Sequence, residues 1–146
     1  HVWGSISAGS FHSCGVTAGG VGLCWGQRYM GKTAVPSIDK PWASLYTSRG
    51  YHHSCGIDTA RLAYCWGDNE YNQTRIPGLC ATTITVPLGT PCTVGSASDC
   101  GLAPGFCARR TWQALSLGQF HTCGLLVGGR GLCWGDNSYG QAAVPA

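Results

Sequence analysis

One stretch recurs three times in this chain, and it constrains the fold more than any other feature. It reads Phe11-His12-Ser13-Cys14-Gly15 … Gly22-Leu23-Cys24-Trp25-Gly26. The second copy is Tyr51-His52-His53-Ser54-Cys55-Gly56 … Ala63-Tyr64-Cys65-Trp66-Gly67. The third is Phe120-His121-Thr122-Cys123-Gly124 … Gly131-Leu132-Cys133-Trp134-Gly135. In every copy the two cysteines stand ten residues apart. Self-similarity of this kind signals a repeat architecture, in which each unit buries a face on its neighbour.

Turn-permissive residues sit near the middle of each cysteine span: Gly19-Gly20, Asp58-Thr59 and Gly128-Gly129. Glycine reaches positive φ cheaply, and Asp and Thr bond locally to the backbone. Folding each span about its centre gives two antiparallel strands. Cys14 then faces Cys24, Cys55 faces Cys65, and Cys123 faces Cys133. Directly opposed Cβ atoms lie about 4.5–5.5 Å apart, within reach of a disulfide. The same register sets His12, His53 and His121 against Gly26, Gly67 and Gly135. It sets Ser13, Ser54 and Thr122 against Trp25, Trp66 and Trp134. A ring covering a cross-strand glycine fills the gap that glycine leaves, so the histidine rings are expected there.

A chain of 146 residues has room for one domain with a real core. Charged residues are 10% of it, against about 25% in an average soluble domain. The formal charge of +3 is spread thinly, which argues against a nucleic-acid partner. No apolar run approaches the length of a membrane span. The cysteines number ten and six of them pair by position, so an oxidising, extracellular compartment is expected. Asn72-Gln73-Thr74 is an N-glycosylation sequon and makes Asn72 a candidate glycan site. A chain opening at His1 without a leader reads as a mature or excised piece.

Repeat one occupies residues 1–41, repeat two 42–77, and repeat three 112–146. Each opens on an alternating, strand-like segment: Trp3 to Gly9, Trp42 to Tyr46, Trp112 to Gly118. Repeat two carries two extra residues before its hairpin. Residues 78–111 are an insertion with Cys80, Cys92, Cys100 and Cys107. It reads as a loop-rich excursion stapled by two bridges, in any of three connectivities.

The pattern Ile-Ser-Ala-Gly-x-x-His-Ser-Cys-Gly … Leu-Cys-Trp-Gly-(Asp-Asn)-x-(Tyr-Gly-Gln) resembles the repeats of the regulator of chromosome condensation superfamily. That superfamily includes the β-lactamase-inhibitor propeller and the extracellular repeats of crinkly-type plant receptor kinases. The resemblance covers 3–36, 42–77 and 112–145, with the motif nearly complete at 134–141. Repeat one departs from it at Gln27-Arg28-Tyr29-Met30, and repeat two has Asn72 where glycine is usual. The resemblance implies an all-β fold of short antiparallel propeller blades, commonly seven. The cysteine pairs are similar to those of the extracellular branch, not the nuclear one.

Histidine two residues before a cysteine also suits zinc, but each repeat offers only three ligands, and disulfides account for the same cysteines. A Cys-His nucleophile needs a free thiolate. No hydrolase motif is present, so neither an enzyme nor a cofactor is expected. Trp25, Trp66 and Trp134 suit sugar stacking, yet repeated tryptophans are more often blade core. Arg109-Arg110 reads as a solvated loop. Two function classes remain. The first is an extracellular structural or assembly protein, a repeat unit of a fibre, appendage or surface layer. Its partners would be copies of itself or adjacent repeats, with glycans and without nucleic acid or membrane insertion. The second is a ligand- or glycan-binding propeller module. Placing Ala146 before His1 continues the repeat nearly in phase, which favours assembly.

Overall fold

The computed structural model describes residues 1–50, 52–77 and 110–145. Their strands form three separate three-stranded antiparallel sheets, each ordered in sequence. The first blade holds β1 (Trp3–Ala8), β2 (His12–Thr17) and β3 (Gly22–Gly26). The second holds β4 (Trp42–Thr47), β5 (His53–Asp58) and β6 (Ala63–Gly67). The third holds β7 (Trp112–Leu117), β8 (His121–Leu126) and β9 (Gly131–Gly135). The chain divides into two units, His1–Ile76 with Thr111–Ala146, and Pro77–Arg110. All three blades belong to the first. Cys80, Cys92, Cys100 and Cys107, expected to pair among themselves, lie outside the described residues. No helix among the described residues is long and apolar enough to cross a membrane.

The hairpin register is the one the repeat dictates. Cys14 opposes Cys24, Ser13 opposes Trp25, and His12 opposes Gly26. The other two hairpins repeat these pairings. Disulfides join Cys14 to Cys24, Cys55 to Cys65, and Cys123 to Cys133, with opposed Cα atoms 4.0–4.1 Å apart. Each closes a short loop, worth about 3 kcal/mol on the chain-entropy account. Replacing Cys55 and Cys65 together with serine should therefore lower unfolding stability by about that amount. Urea unfolding of the oxidised protein measures it, and an unchanged midpoint would refute it.

Two expectations need correction. The second reversal is not centred on Asp58-Thr59. Asp58 ends β5, is buried, and its carboxylate accepts from Leu62 N–H at 2.8 Å and the Tyr64 hydroxyl at 3.2 Å. The residue with positive φ is Arg61, at +63°, where the other copies place Gly20 and Gly129. Nor do the histidine rings cover the cross-strand glycines. A Cβ at Gly26, Gly67 or Gly135 would strike the backbone of the facing strand, and all three have φ of +100° to +108°. The ring that covers a glycine is the first tryptophan of each blade. Trp3, Trp42 and Trp112 lie over Gly15, Gly56 and Gly124, where a Cβ would come 2.8, 2.4 and 2.2 Å from the ring.

Among the described residues apolar burial falls into two clusters, one at each junction between blades. At the first junction Cys14 and Val16 of blade 1 pack on Trp42 and Leu45 of blade 2. At the second, Cys55 and Ile57 of blade 2 pack on Trp112, Leu115 and Trp134 of blade 3. A three-stranded sheet this small cannot bury enough apolar surface alone, so each blade depends on the next.

Candidate functional site at the blade seams

The polar residues of the repeat meet at these same junctions. At the first, His12 Nε2 lies 2.7 Å from Ser54 Oγ, and the Ser54 hydroxyl donates to the Lys32 carbonyl at 2.9 Å. Trp66 Nε1 donates to that same carbonyl at 2.9 Å. At the second, His53 Nε2 lies 3.1 Å from Thr122 Oγ1, Thr122 donates to the Gln73 carbonyl at 3.0 Å, and Trp134 Nε1 donates there at 2.9 Å. Because each hydroxyl proton is committed to a carbonyl, each histidine must donate from Nε2. Both are neutral, with the proton on Nε2. A histidine of one blade, a hydroxyl and indole of the next, and one loop carbonyl thus form a chain across the seam.

Burial fixes the charge state of this chain. Desolvation, with the Lys32 and His52 charges adding, pushes His12 down to about 4. Desolvation likewise holds His53 down at about 4, against the opposing pull of Asp68. His53 Nδ1 is buried without a hydrogen-bond partner, so protonating it would bury an uncompensated charge.

The loop after each hairpin presents the accepting carbonyl, and the Asp-Asn-x-Tyr-x-Gln motif is the device that shapes it. Asp136 Oδ1 accepts from Ser138 N–H at 3.0 Å, Asn137 Oδ1 from Ala142 N–H at 2.9 Å, and Gln141 Oε1 from Tyr139 N–H at 2.8 Å. Gln141 Nε2 donates back to Asp136 Oδ2 at 2.7 Å. The hydrogen bonds from Ser138 hold the Asp136 carboxyl below the usual carboxylate range. Blade 2 repeats the loop through Asp68, Asn69 and Gln73.

Blade 1 uses a different pair. Gln27 and Lys32 replace the Asp and Gln, and Lys32 Nζ donates to Gln27 Oε1 at 2.7 Å and to His52 Nδ1 at 2.6 Å. The Lys32 side chain is fully enclosed, and that burial lowers its pKa. His52 stands where the other blades carry Phe11 and Phe120, and its pKa is lowered by burial and by Lys32. The sequence reading passed over this cluster. The readable signal was the joint change at two motif positions, Asp/Gln in repeats two and three against Gln/Lys in repeat one.

Aromatic side chains line the rim beside the seams. Tyr29 meets His52 edge-on at 4.9 Å, and Tyr71 meets Phe120 at 4.6 Å. Phe11, Tyr29 and Met30 are about half exposed, and Tyr139 is almost wholly so. Trp66 and Trp134, for which blade core was preferred over sugar stacking, belong to the seams, while Trp25 is 44% exposed. Among the described residues no group of three or more His, Cys, Asp or Glu could hold a metal ion.

Asn72 is exposed and has φ of +60°, in the loop position where blades 1 and 3 have Gly31 and Gly140, also at positive φ. Asparagine tolerates that conformation better than other non-glycine residues. In protein made through a eukaryotic secretory pathway, Asn72 is expected to carry an N-linked glycan. Enzymatic deglycosylation should shift the mass of the native protein, and Thr74→Ala should abolish the shift. An unmodified peptide containing Asn72 would refute it.

Residues 48–73 and 112–141 match the family model described as the regulator of chromosome condensation (RCC1) repeat. No curated protein sequence matches the chain. Several solved structures share its fold. The crinkly ectodomain of the Arabidopsis thaliana receptor kinase ACR4 is 23% identical, with a TM-score of 0.53 over 92% of this chain and 37% of that one. The ectodomain of the Physcomitrella patens receptor kinase CR4 is 25% identical, with a TM-score of 0.51 over 91% of this chain and 30% of that one. Prp20p of Saccharomyces cerevisiae is 18% identical, with a TM-score of 0.64 over 98% of this chain and 33% of that one. This chain therefore spans about a third of the length of each.

Proposed function

We propose that this chain, whose residues 48–73 and 112–141 match the RCC1 repeat and whose fold is propeller-like, is an extracellular module whose work is assembly, blade joining to blade. The observation that carries this reading is the seam. The same four-group chain forms at both junctions, and the side chains that build it are neutral or uncharged. The disulfides in all three blades support an oxidising, extracellular setting. The two plant neighbours, both receptor ectodomains, support the same setting.

The exposed rim favours a second reading, a ligand-binding module of the receptor-ectodomain kind. Phe11, Tyr29 and Met30 offer apolar surface beside the first seam, as contact sites do. Light scattering of the oxidised protein over a concentration series separates the two. Mass that grows with concentration is the outcome assembly requires. A compact monomer at every concentration would overturn it in favour of ligand binding at the rim.

A further inference from the structure

We infer that the loop after blade 1, residues 27–32, is a proton-operated latch. Lys32 clasps His52 of blade 2 while that imidazole is neutral, and lets go when the imidazole takes up a proton. The latch is independent of the assembly reading, because both of its partners lie at the first seam.

The loops after the blades follow one plan, with one exception. In blades 2 and 3 three loop side chains accept from the loop's own backbone N–H groups: Asp68, Asn69 and Gln73 in one, Asp136, Asn137 and Gln141 in the other. Among the described residues the blade 1 loop has no such bond. Its side chains are tied instead by Lys32, whose Nζ donates to Gln27 Oε1 and to His52 Nδ1. Its backbone is also strained. The loops of blades 2 and 3 each turn through one residue at positive φ, Asn72 or Gly140. The blade 1 loop turns through two, Gly31 at +71° and Met30 at +57°. For a side chain such as methionine that conformation costs about 1–2 kcal/mol. Residues 27–31 are exposed, and Lys32 is wholly enclosed. One enclosed side chain thus holds a strained, exposed loop.

An ammonium has three donors and no acceptor, so His52 accepts at Nδ1 and keeps its own proton on Nε2. Protonation puts a second N–H on Nδ1. Two cationic donors then face each other across the 2.6 Å contact, in a place where water screens them little. Lys32 is the group that leaves, because its flexible stem can carry the charge out to water. Its backbone stays, since the Lys32 carbonyl accepts from Ser54 and Trp66 at 2.9 Å each. Opening therefore frees the loop without parting the seam. It also lifts Tyr29 off the His52 ring, which it meets edge-on at 4.9 Å, and so changes the aromatic rim. The other ionisable groups facing the pair are His12 of β2 and Asp68 of the loop after β6. His12 is pushed down to about 4 and is uncharged above that pH. Burial and the Lys32 charge lower His52, and Asp68 opposes them. The closed latch therefore binds this proton less readily than the open one, and falling pH favours opening.

Met30 is the only methionine in the chain, so a single methyl resonance reports the loop. In oxidised protein carrying 13C-methyl methionine, that resonance should follow a one-proton step below the ordinary histidine value of 6.5, while the strand amide resonances hold their positions. Amide exchange at residues 28–31, corrected for the direct effect of pH, should rise by about tenfold once the step is complete, the weight of one charge-assisted hydrogen bond. His52→Phe installs the ring found at this place in Phe11 and Phe120, so it should fold and lose both responses. Gln27→Asp combined with Lys32→Gln restores the pair of the other two loops and should lose them as well. A methyl resonance that does not move between about pH 7.5 and about pH 4.5, or that moves unaltered in either variant, overturns the latch. A step that survives His52→Phe and disappears in His12→Gln belongs to His12 and overturns it too.

Discussion

Trp112→Ala is expected to cost about 3–5 kcal/mol of folding stability, whereas Trp3→Ala should cost only about 1 kcal/mol. The two residues hold the same place in their blades and cover the same cross-strand glycine. Trp112 is 2% exposed because blade 2 packs its Cys55 and Ile57 against it. Trp3 has no described blade against it and is only half-buried, tilted against Trp25 with ring centres 5.4 Å apart. Removing the Trp112 ring leaves a cavity in the seam and uncovers the Trp134 indole, 5.5 Å from it. Removing Trp3 leaves a notch that water fills. Urea unfolding of the two variants measures the difference. Equal losses would mean that the rings stabilise their own blades and that the seams contribute little.

Acid should loosen the same seams. His12 and His53 titrate at about 4 when folded, against about 6.5 when unfolded. Between these values the unfolded chain binds more protons than the folded one. Their contribution is complete above about pH 6.5, declines as pH falls, and stops changing below about pH 4. Each histidine is worth about 1.4 kcal/mol per pH unit, so lowering pH from 7 to 5 should remove roughly 4 kcal/mol in all. Lys32 and His52 face His12 and act in the same direction. Asp68 faces His53 and opposes it, while His12 and His121 reinforce the effect. His53→Gln keeps an N–H donor for Thr122 and removes one titration. Its stability should therefore fall about half as steeply with pH. An unaltered slope would show that His53 is not the group responsible.

The disulfides, the hairpin register and the repeated strands were readable because all are local. Ten residues between cysteines and a turn-permissive middle leave one pairing that works, and triplication rules out coincidence. The alternating segment that opens each repeat marked the remaining strand, and the family pattern added the propeller arrangement. The histidine rings were misplaced for an equally physical reason. Strand register says which residue lies opposite, but not that the glycine's Cβ direction is filled by facing backbone. That left the ring to cross to the next blade. The Asp58 turn was misread because a buried carboxylate bonded to Leu62 N–H moves the positive φ on to Arg61, which no propensity favours.

The sequence by itself determined each blade: its strands, its bridge and the tryptophan motif that closes it. The tertiary structure alone decided what those residues are for. His53, Thr122, Gln73 and Trp134 are spread over more than 80 positions of chain, yet they meet at one carbonyl. A blade can be specified by neighbours in sequence because its hydrogen bonds are its own. A seam cannot, because it exists only when two blades bury their faces together and leave a histidine, a hydroxyl and an indole no other partner.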